Sequence, residues 1–464
     1  MPQFKVIIIG GGLAGALLAN GLSNNQIDWA LYERDDEDTK REGYQIRLGD
    51  AAIKGLTSCL DKATLSQISR RLGQSMSKTL SAPTICNRRF QPVLDLSSIH
   101  MYSKSAAINR VVLRDLLLEP VANTGRVRFG KAFSHYEIES DDEGHETVVV
   151  HFADGSSDTC DVLVGADGSG SKVNKQVGAN NLVDIRSHWA FVSKGSLPVE
   201  RIRELPQRLL KGPIITLANG VTFFYSLYLP APSDPTGKDS SASGIAIDED
   251  QASFYWGLNV PRDRYPFNSA MEIPDRLKFC LEVVGDWAPE YRQMISFGAR
   301  CDEANEVASL SLRASNKLPK SWRENARSRN DSSKATGHPR VWLMGDAIHA
   351  MQPNRGMGGN QAMLDCADIL PELLKLSTIA KSQPLATEQV QIMGDLYEHR
   401  MIGRAFSWVT KSGGTTVPYW DLDGILGTFI RVLGMCILPL ISFLYTWGSL
   451  IISGRRQDKD GIRL

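Results

Sequence analysis

The feature that most constrains the fold is a glycine-rich segment that directly follows an apolar run near the start of the chain. Residues 4–9 (FKVIII) predict a buried parallel strand, and a helical pattern begins at Leu13. Between them lies the sequence Gly-Gly-Gly-Leu-Ala-Gly, whose Gly10, Gly12 and Gly15 satisfy GxGxxG. In such a turn the first glycine permits a tight bend, the second lets a pyrophosphate approach the backbone, and the third lets the helix pack closely.

An acidic residue completes this pattern. Residues 29–32 predict a second strand, and Glu33 follows it at the distance where an acid can bind a ribose hydroxyl pair. The N-terminus of the intervening helix offers free N–H groups and a positive dipole end to phosphates. Strand, turn, helix and acid together favour a dinucleotide-binding βαβ unit over a purely structural glycine turn.

Two later segments also join a strand to a polar glycine turn. The first, 161–168 (DVLVGADG), taken alone predicts only a strand and an Asp-Gly turn. The second is 341–349 (VWLMGDAIH), followed by a glycine-rich bend at 353–360 and a helix to about Leu374. A carboxylate at Asp346 can accept hydrogen bonds from a polyol. The N–H groups of the bend and the helix start can stabilise a developing negative charge.

The three motifs, in this order, resemble those of class A flavoprotein monooxygenases, the p-hydroxybenzoate-hydroxylase-like group with GxGxxG, DG and GD motifs. The resemblance spans about residues 4–376. The segment 353–361 (PNRGMGGNQ) is similar to tailoring monooxygenases of fungal-type secondary metabolism and to tetracycline-inactivating monooxygenases. The GD motif reads Ala-Ile-His instead of the commoner Ala-Ala-His, a change not expected to alter FAD binding. The resemblance implies bound FAD, with NADPH or NADH and O₂ as co-substrates.

The resemblance also implies which residues bind FAD. The adenosine end would lie on the glycine turn and the acid after the second strand, Asp346 would hold the ribityl chain and diphosphate, and Arg110 would lie beside the diphosphate or the ring. Asp167 would support FAD and, in the family, the nicotinamide coenzyme. The predicted cofactor-binding residues are Gly10, Gly12, Leu13, Ala14, Gly15, Glu33, Arg34, Arg110, Asp167, Asp346, Gly356, Gly359 and Asn360.

Four residues are predicted to act in catalysis. FAD supplies hydride acceptance and reaction with O₂, which no side chain can perform. By the resemblance, Pro353 would line the flavin face, and the N–H groups near Gly358 and Gly359 would stabilise the reduced, anionic flavin. Arg47 would touch the flavin or an acidic substrate group, with a surface arginine on an amphipathic strand as the alternative. For His349 within the GD motif, a structural role is favoured over that of a base.

Aromatic residues mark the predicted substrate sheet. Segments 186–197, 213–229 and 252–260 are rich in Trp, Phe, Tyr and Val and predict an antiparallel sheet. Alternation should send some of these side chains into a pocket and others into a core. The predicted substrate contacts are Phe224, Tyr225 and Trp256. The polar stretches 231–250 and 320–338 predict a surface loop and a mobile insertion.

The predicted fold class is α/β: a glutathione-reductase-like Rossmann FAD domain interleaved with a mixed-sheet substrate domain, plus C-terminal helices. The predicted boundaries are 1–80, 105–183 and 300–376 for the FAD domain, 81–104 and 184–299 for the substrate domain, and 377–464 for the C-terminal region.

The predicted function is an FAD-dependent, NAD(P)H-consuming monooxygenase that hydroxylates, epoxidises or inserts oxygen into a small hydrophobic metabolite of aromatic, polyketide or terpenoid origin. The alternative is a cyclase or isomerase that keeps FAD without net oxygenation, since fold does not dictate function. A flavin halogenase is disfavoured because the chain lacks the WxWxIP segment of that group.

Composition excludes several other classes. Lys plus Arg and Asp plus Glu both number 52, so the net charge is zero and nucleic acid is not an expected partner. The 7 cysteines are scattered without a CxxC pair, which predicts buried thiols instead of a disulfide framework. No Ser-His-Asp set and no metal-ligand spacing is present, and no metal is predicted.

A strand predicted from Phe4 leaves no room for a signal peptide, so a cytoplasmic location is expected.

The C-terminal tail leaves two alternatives open. Residues 432–454 carry no charge and are flanked by Arg431 and by Arg455-Arg456. The run is long enough to cross a bilayer of about 30 Å, but two short helices packed on the FAD domain fit as well. A single crossing would place the catalytic part and the basic pair on opposite sides, against the positive-inside tendency. An in-plane or re-entrant attachment to an intracellular membrane, or packing on the FAD domain, is therefore expected. The oligomeric state is not predicted.

Overall fold

A computed structural model of the chain describes residues 4–433, apart from 38, 40–44, 74–79, 100–103, 198, 203, 232–251, 298–306, 330–333, 418–420 and 426. The predicted loop at 231–250 and most of the predicted apolar tail therefore lie outside the described residues. Within them, no helix combines the length and the apolar character that a membrane crossing requires.

The described residues form strands and helices in mixed order. The strands are β1 (Lys5–Ile9), β2 (Asp28–Tyr32), β3 (Gln45–Leu48), β4 (Thr84–Cys86), β5 (Pro92–Asp95), β6 (Ala106–Asn109), β7 (Val127–Arg128), β8 (Phe133–Ser140), β9 (Glu146–Phe152), β10 (Ser157–Cys160), β11 (Val162–Gly165), β12 (Leu182–Asp184), β13 (His188–Ser196), β14 (Ile214–Ala218), β15 (Val221–Tyr228), β16 (Ser253–Pro261), β17 (Ala308–Leu310), β18 (Arg313–Ser315) and β19 (Val341–Leu343). The helices are α1 (Leu13–Asn24), α2 (Asp50–Cys59), α3 (Lys62–Arg70), α4 (Arg110–Ala122), α5 (Lys172–Gln176), α6 (Val199–Ile202), α7 (Arg276–Val283), α8 (Pro289–Phe297), α9 (Trp322–Arg329), α10 (Asp346–His349), α11 (Gly358–Ala380) and α12 (Thr387–Lys411).

A parallel sheet with strand order β19-β11-β1-β2-β7 organises the first layer. Its central strand, β1, pairs in parallel with β2 on one side and β11 on the other. Residues Val6 to Ile9 are buried because helices and the sheet β8–β10 cover the two faces of the parallel sheet, which is why the strand is a continuous apolar run. Helix α1 packs against α11, α4 and α2. The carboxyl ends of β1, β11 and β19 therefore lead into the three motifs at one edge of the sheet.

A mixed sheet of order β17-β13-β16-β15-β14-β4-β5 forms the second layer. Its strands are antiparallel except for the pair β14 and β4. One face packs on α7 and α8 around a second apolar cluster that includes Phe223, Phe254 and Tyr291. Three antiparallel elements complete the described part of the fold: the pair β3–β6, the pair β12–β18 and the sheet β8–β10. The domain boundaries remain a prediction.

The expected mobile insertion at 320–338 is wrong for its first part. Helix α9 starts at Trp322, and both Trp322 and Arg323 are buried. Their side chains donate hydrogen bonds to Glu398 of α12, from Trp322 Nε1 at 2.9 Å and from Arg323 Nη2 at 2.6 Å. One of the charged residues in this polar segment, Arg323, thus forms a buried ion pair with Glu398 of the distant helix α12.

Candidate cofactor and substrate site

The three glycines of the first motif have different environments. A Cβ atom placed at Gly10, where φ is +110°, would lie 2.4 Å from the carbonyl oxygen of Ala166, and one at Gly15 would lie 2.0 Å from that of Gly10. A Cβ atom at Gly12 would meet no heavy atom within 4 Å. Gly10 and Gly15 are therefore required by the packing of the protein, whereas the space beside Gly12 is open to a group that approaches the backbone.

The acid after β2 lies against this turn. The Glu33 carboxylate is buried and accepts a hydrogen bond from the N–H group of Gly11 at 2.7 Å through Oε2. Its Oε1 accepts from the N–H group of Asp35 at 3.1 Å. Arg34, predicted to share the adenosine end, is 76% exposed and pairs with Asp35 at 3.3 Å. Glu33 is thus built into the turn, while Arg34 extends from the protein surface.

Arg114 is a contact of the turn that the sequence analysis missed. It lies one turn after Arg110 on α4, and its Nε donates to the carbonyl oxygen of Gly11 at 2.8 Å. The start of α4 is capped by Asn109, whose side chain accepts from the N–H group of Val111 at 2.8 Å. The spacing of Arg110 and Arg114 on one helix face was the available signal, since residues four apart are neighbours there.

Asp346 begins α10 directly after β19 and Gly345, where φ is +60°. Its side chain is open to solvent, yet desolvation raises the pKa of its carboxyl group, partly opposed by the charges of His349 and Arg110. Both observations hold if the carboxylate lines a cleft deep in the molecule. Within the described part of the chain, no group donates a hydrogen bond to this carboxylate.

The start of α11 faces Asp346. A Cβ atom at Gly358 would lie 3.7 Å from Asp346 Oδ1, and one at Gly359 would lie 3.9 Å from Ile46 of β3. The helix N-terminus and the carboxylate therefore border the same cleft. Pro353 and Gly356, in the turn before this helix, are exposed.

Asn360 connects this helix start to the strand beside it. Its Nδ2 donates to the carbonyl oxygens of Arg47 at 2.7 Å and Gly356 at 2.9 Å, and its Oδ1 accepts from the N–H group of Gly49 at 2.8 Å. With both ends of the amide engaged, Asn360 positions the loop relative to β3. Leu13 and Ala14 form the first turn of α1, with Leu13 buried and Ala14 half-buried.

A buried network of charged side chains, centred on Asp365, holds the GD motif in place. Asp365 of α11 is fully buried, and its Oδ2 contacts His349 Nε2 at 2.6 Å and accepts from the N–H group of Gly345 at 2.8 Å. Its Oδ1 accepts from Arg404 of α12 at 2.6 Å. Burial opposes the charged form of His349, but the contact with Asp365 outweighs it and raises the pKa of His349. This arrangement fits the structural role expected for His349.

The DG motif contacts the glycine turn. Asp167 Oδ1 accepts from Ser171 Oγ at 2.5 Å, and Oδ2 accepts from the N–H group of Lys172 at 2.8 Å. A Cβ atom at Gly10 would lie 3.1 Å from Asp167 Cα. Desolvation raises the pKa of the Asp167 carboxyl group. The aspartate thus caps the start of α5 beside the turn.

The side chain of Arg47 is hydrogen-bonded to two serines beside β3. The residue is half-buried, and its guanidinium donates to Ser105 Oγ at 3.0 Å and to Ser81 Oγ at 2.7 Å. It also contacts the carbonyl oxygen of Ser105. Ser81 and Ser105 form an isolated antiparallel bridge. Arg47 therefore anchors β3 to this bridge, and its predicted catalytic role stays a prediction.

The substrate sheet separates the three predicted aromatic contacts. Tyr225 of β15 and Trp256 of β16 are directly opposite each other and fully buried in the cluster against α7 and α8. Their side chains therefore lie on the core side of the sheet, and their contact with the substrate stays a prediction. Phe224 points to that other face, half-buried, with its ring centroid 6.1 Å from Tyr255.

The face that carries Phe224 is the one that meets the first layer. Ser226 lies two residues after Phe224 and therefore points to the same side of β15. The Ser226 carbonyl oxygen accepts from Gln45 Nε2 at 2.8 Å, and Ser226 Oγ donates to Gln45 Oε1 at 3.1 Å. Since Gln45 begins β3, whose Ile46 borders the cleft, Phe224 lies on the side of the sheet toward that cleft.

These residues fit an extended dinucleotide cofactor. The open space at Gly12 suits a pyrophosphate, the unpartnered Asp346 carboxylate suits the hydroxyls of a polyol chain, and the N-terminus of α11 suits a partial negative charge. Together they define a dinucleotide-binding flavoprotein site at the carboxyl edge of a parallel sheet.

The family comparison agrees with this site. Residues 3–210 and 301–389, more than half of the chain, match the profile of the family described as "FAD binding domain". The chain therefore belongs to the FAD binding domain family.

Several relatives with curated functions are FAD-dependent monooxygenases of fungi. The dual O-methyltransferase/FAD-dependent monooxygenase CTB3 of Cercospora beticola is 25% identical over 392 residues, which cover 80% of this chain and 42% of that protein. The FAD-dependent monooxygenase dbaB of Emericella nidulans is 28% identical over 378 residues, which cover 79% of this chain and 86% of that protein. The chain thus spans less than half the length of the first of these relatives.

Solved structures share the fold. HpxO of Klebsiella pneumoniae, in complex with FAD and uric acid, superposes with a TM-score of 0.66 at 19% identity, covering 96% of this chain and 98% of that chain. At this identity the likeness bears on the fold alone. The predicted fold class is confirmed, and so is the resemblance to class A FAD-dependent monooxygenases.

Proposed function

We propose that the protein is an FAD-dependent, NAD(P)H-consuming monooxygenase that transfers one oxygen atom of O₂ to a small hydrophobic metabolite. The observation that carries the proposal is the cleft where the open face of Gly12, the unpartnered Asp346 carboxylate and the start of α11 converge in a chain of this family. The similarity to fungal FAD-dependent monooxygenases supports the type of reaction.

FAD, when bound, supplies hydride acceptance and the reaction with O₂. The chain would hold it with the backbone at Gly12, with Glu33 beside the adenosine end and with Asp346 on the ribityl hydroxyls. Arg110 adds a positive charge near Asp346, since it lowers the pKa of that carboxyl against the effect of desolvation. Such a charge also suits the diphosphate.

The N-terminus of α11 would stabilise negative charge on the flavin ring. Gly358 and Gly359 leave their N–H groups free of side-chain cover, and Asn360 holds the loop by bonds to Arg47 and Gly49. Donors held in place before the reaction stabilise charge without the cost of reorganisation. The predicted roles of Pro353, Gly356 and Arg47 belong to this proposal as well.

The substrate would bind between the cleft and the mixed sheet, against Phe224. Its half-buried ring and that of Tyr255 offer an apolar wall suited to an aromatic, polyketide- or terpenoid-derived molecule. A pocket walled in this way would exclude water from the reaction.

The experiment measures NAD(P)H oxidation and O₂ consumption with candidate substrates, followed by product analysis under ¹⁸O₂. Substrate-stimulated NAD(P)H oxidation with one ¹⁸O atom in the product is the expected result. A product formed without NAD(P)H and without ¹⁸O would support the cyclase or isomerase alternative instead. The Gly12→Val variant, expected to lack FAD, serves as the inactive control.

We further propose a cytoplasmic location with attachment to an intracellular membrane through residues 432–454. The helix that leads into this run, 427–433, exposes Phe429, Val432 and Leu433. Adjacent apolar side chains on an exposed helix suit insertion into a bilayer surface. Fractionation with and without residues 425–464 tests the proposal, since the full chain should pellet with membranes and the shortened chain should not.

A further inference from the structure

Three potential metal ligands meet on the exposed face of the sheet β8–β10. His135 and Glu137 are two residues apart on β8 and therefore share one face of the strand. His151 of β9 lies directly opposite His135 in the antiparallel register. A register shift between Phe133 and His135 precedes the pair, and such bulges re-aim the side chains that follow. This cluster lies on the outer sheet and belongs to no part of the proposed FAD site.

The geometry brings the ligand atoms toward one point. The rings of His135 and His151 stack with centroids 4.5 Å apart and planes inclined by 10°. The carboxylate of Glu137 reaches both rings, with Oε1 3.7 Å from His135 Nε2 and Oε2 3.8 Å from His151 Nε2. One ligand atom from each residue lies within 4.8 Å of the other two.

The hydrogen bonding leaves the Nε2 atom of each histidine available to a metal ion. His151 Nε2 is buried and has no hydrogen-bond partner among the residues that the structure describes, and 3.8 Å to Glu137 is too long for one. A buried polar atom without a partner costs free energy, which a bound ion would recover. Ser134 Oγ lies 3.1 Å from His135 Nδ1. A hydroxyl there can hold the proton on Nδ1 and leave the lone pair on Nε2.

We propose that His135, Glu137 and His151 bind one divalent transition-metal ion of the zinc class. Two imidazoles and one carboxylate suit Zn²⁺, whereas Mg²⁺ and Ca²⁺ prefer oxygen ligands. Zinc–nitrogen bonds of about 2.0–2.1 Å place tetrahedral ligand atoms roughly 3.4 Å apart. The three ligand atoms lie within 4.8 Å of one another, so the side chains need to close by at most about 1.4 Å to reach that value. Water completes the coordination on the solvent side.

The ion links two strands that support the DG motif. Gln176 of α5 exchanges hydrogen bonds with the backbone of Tyr136 on β8, at 3.0 and 2.7 Å. Lys172 Nζ donates to the carbonyl oxygen of Phe133 at 3.2 Å, and α5 begins beside Asp167. A metal bridge between His135 and His151 closes β8 on β9 at this point. Its effect is therefore greater stability of the folded, FAD-loaded protein, independent of oxygen transfer.

The test is calorimetric titration of the full-length, FAD-loaded protein with Zn²⁺ after EDTA treatment and removal of the chelator. The variants are His135→Gln and His151→Gln. His145→Gln is the matched control, because His145 is a half-buried histidine of the same hairpin whose Nδ1 lies 3.1 Å from Asp141. One Zn²⁺ per chain is expected in the wild type and the control. Affinity at least about tenfold weaker is expected in both ligand variants, since even outer partners of a site contribute that much.

Two further readouts complete the test. Zn²⁺ should raise the unfolding temperature of the wild type and of His145→Gln but not of the ligand variants, and Co²⁺ should give the visible absorption of a four-coordinate site in the wild type. Flavin absorbance verifies that every variant is folded. Absence of Zn²⁺ binding, or an unchanged affinity in both His135→Gln and His151→Gln, would overturn the proposal.

Discussion

The guanidinium of Arg404 lies 2.6 Å from Oδ1 of Asp365, a carboxylate with no exposed surface. This pair joins the last described long helix, α12, to the GD motif, because the other oxygen of Asp365 holds the N–H group of Gly345. Together with the neighbouring His349, it makes the C-terminal helix part of the support for the cofactor cleft.

Arg404→Met should destabilise the protein by about 3–5 kcal/mol, because it removes a charge that compensates a buried carboxylate. Lys131→Met is the control, since Lys131 pairs with Asp154 at an exposed position and its loss should cost no more than about 1 kcal/mol. Urea unfolding of the three proteins measures the difference. Equal losses for both variants would contradict the role given to Arg404.

The pH dependence of stability should report the ion pair of His349. The pKa of His349 is raised in the folded state, so its contribution is fully present below the ordinary value of 6.5 and is lost as the pH rises through the folded pKa. The free energy of unfolding should therefore fall more steeply above about pH 6.5 in the wild type than in His349→Gln. Denaturant titrations at a series of pH values measure both slopes, and parallel slopes would refute the expectation.

Substitutions at the glycine turn should separate folding from cofactor binding. Gly12 has φ −76° and ψ −172°, and a Cβ atom there meets nothing within 4 Å, so Gly12→Val should fold normally but lose FAD. Gly15→Val should lose stability by several kcal/mol, because its side chain collides with the backbone at Gly10. Thermal unfolding and flavin absorbance per chain distinguish the two. FAD retained by Gly12→Val would show that the pyrophosphate lies elsewhere.

Asp346→Asn should act on cofactor affinity and stability in opposite directions. Loss of a charged hydrogen-bond acceptor should weaken FAD binding by about 1–3 kcal/mol. Desolvation raises the pKa of the Asp346 carboxyl group in the folded protein, so the ionised carboxylate lowers the free energy of unfolding at pH values above its ordinary pKa of 3.8. The uncharged amide of asparagine should therefore make the apoprotein more stable at neutral pH. Dilution of the holoprotein and unfolding of the apoprotein measure the two effects. Full FAD occupancy on dilution would place the ribityl contact at another residue.

Neighbouring residues of β15 should respond differently to truncation. Phe224→Ala should raise the KM for the substrate and change the stability little, because the ring is half-buried on the cleft side. Tyr225→Ala should cost about 3–5 kcal/mol, as expected for a large aromatic side chain removed from a core. Steady-state kinetics and urea unfolding are measured on both variants. A change of KM confined to Tyr225→Ala would reverse the assignment of the two faces.

The features that the sequence predicted correctly are those set by short-range constraints. Gly15 must be glycine because the backbone of Gly10 in the same motif leaves no room for a side chain, and Gly10 must be glycine because its φ is +110°. The strand β1 and helix α11 carry their own patterns of apolar residues. Such features need no knowledge of distant contacts, so the fold class follows from them.

The features that were missed depend on distant partners. Alternation along β15 shows that Phe224 and Tyr225 point to opposite sides but not which side carries α7 and α8. The polar segment at α9 contains no local sign that Arg323 is buried against Glu398. The cluster of His135 and His151 likewise arises only from strand pairing.

The alternation of β15 between cleft and core has a consequence for divergence of the protein. Successive codons along the strand control different properties, so under the proposed function mutations at Thr222 and Phe224 are expected to alter selectivity while Val221, Phe223 and Tyr225 keep the domain folded. A lineage under selection for a new metabolite can therefore explore one face without eroding the other. A combinatorial library restricted to the cleft-side positions is expected to retain a large folded fraction.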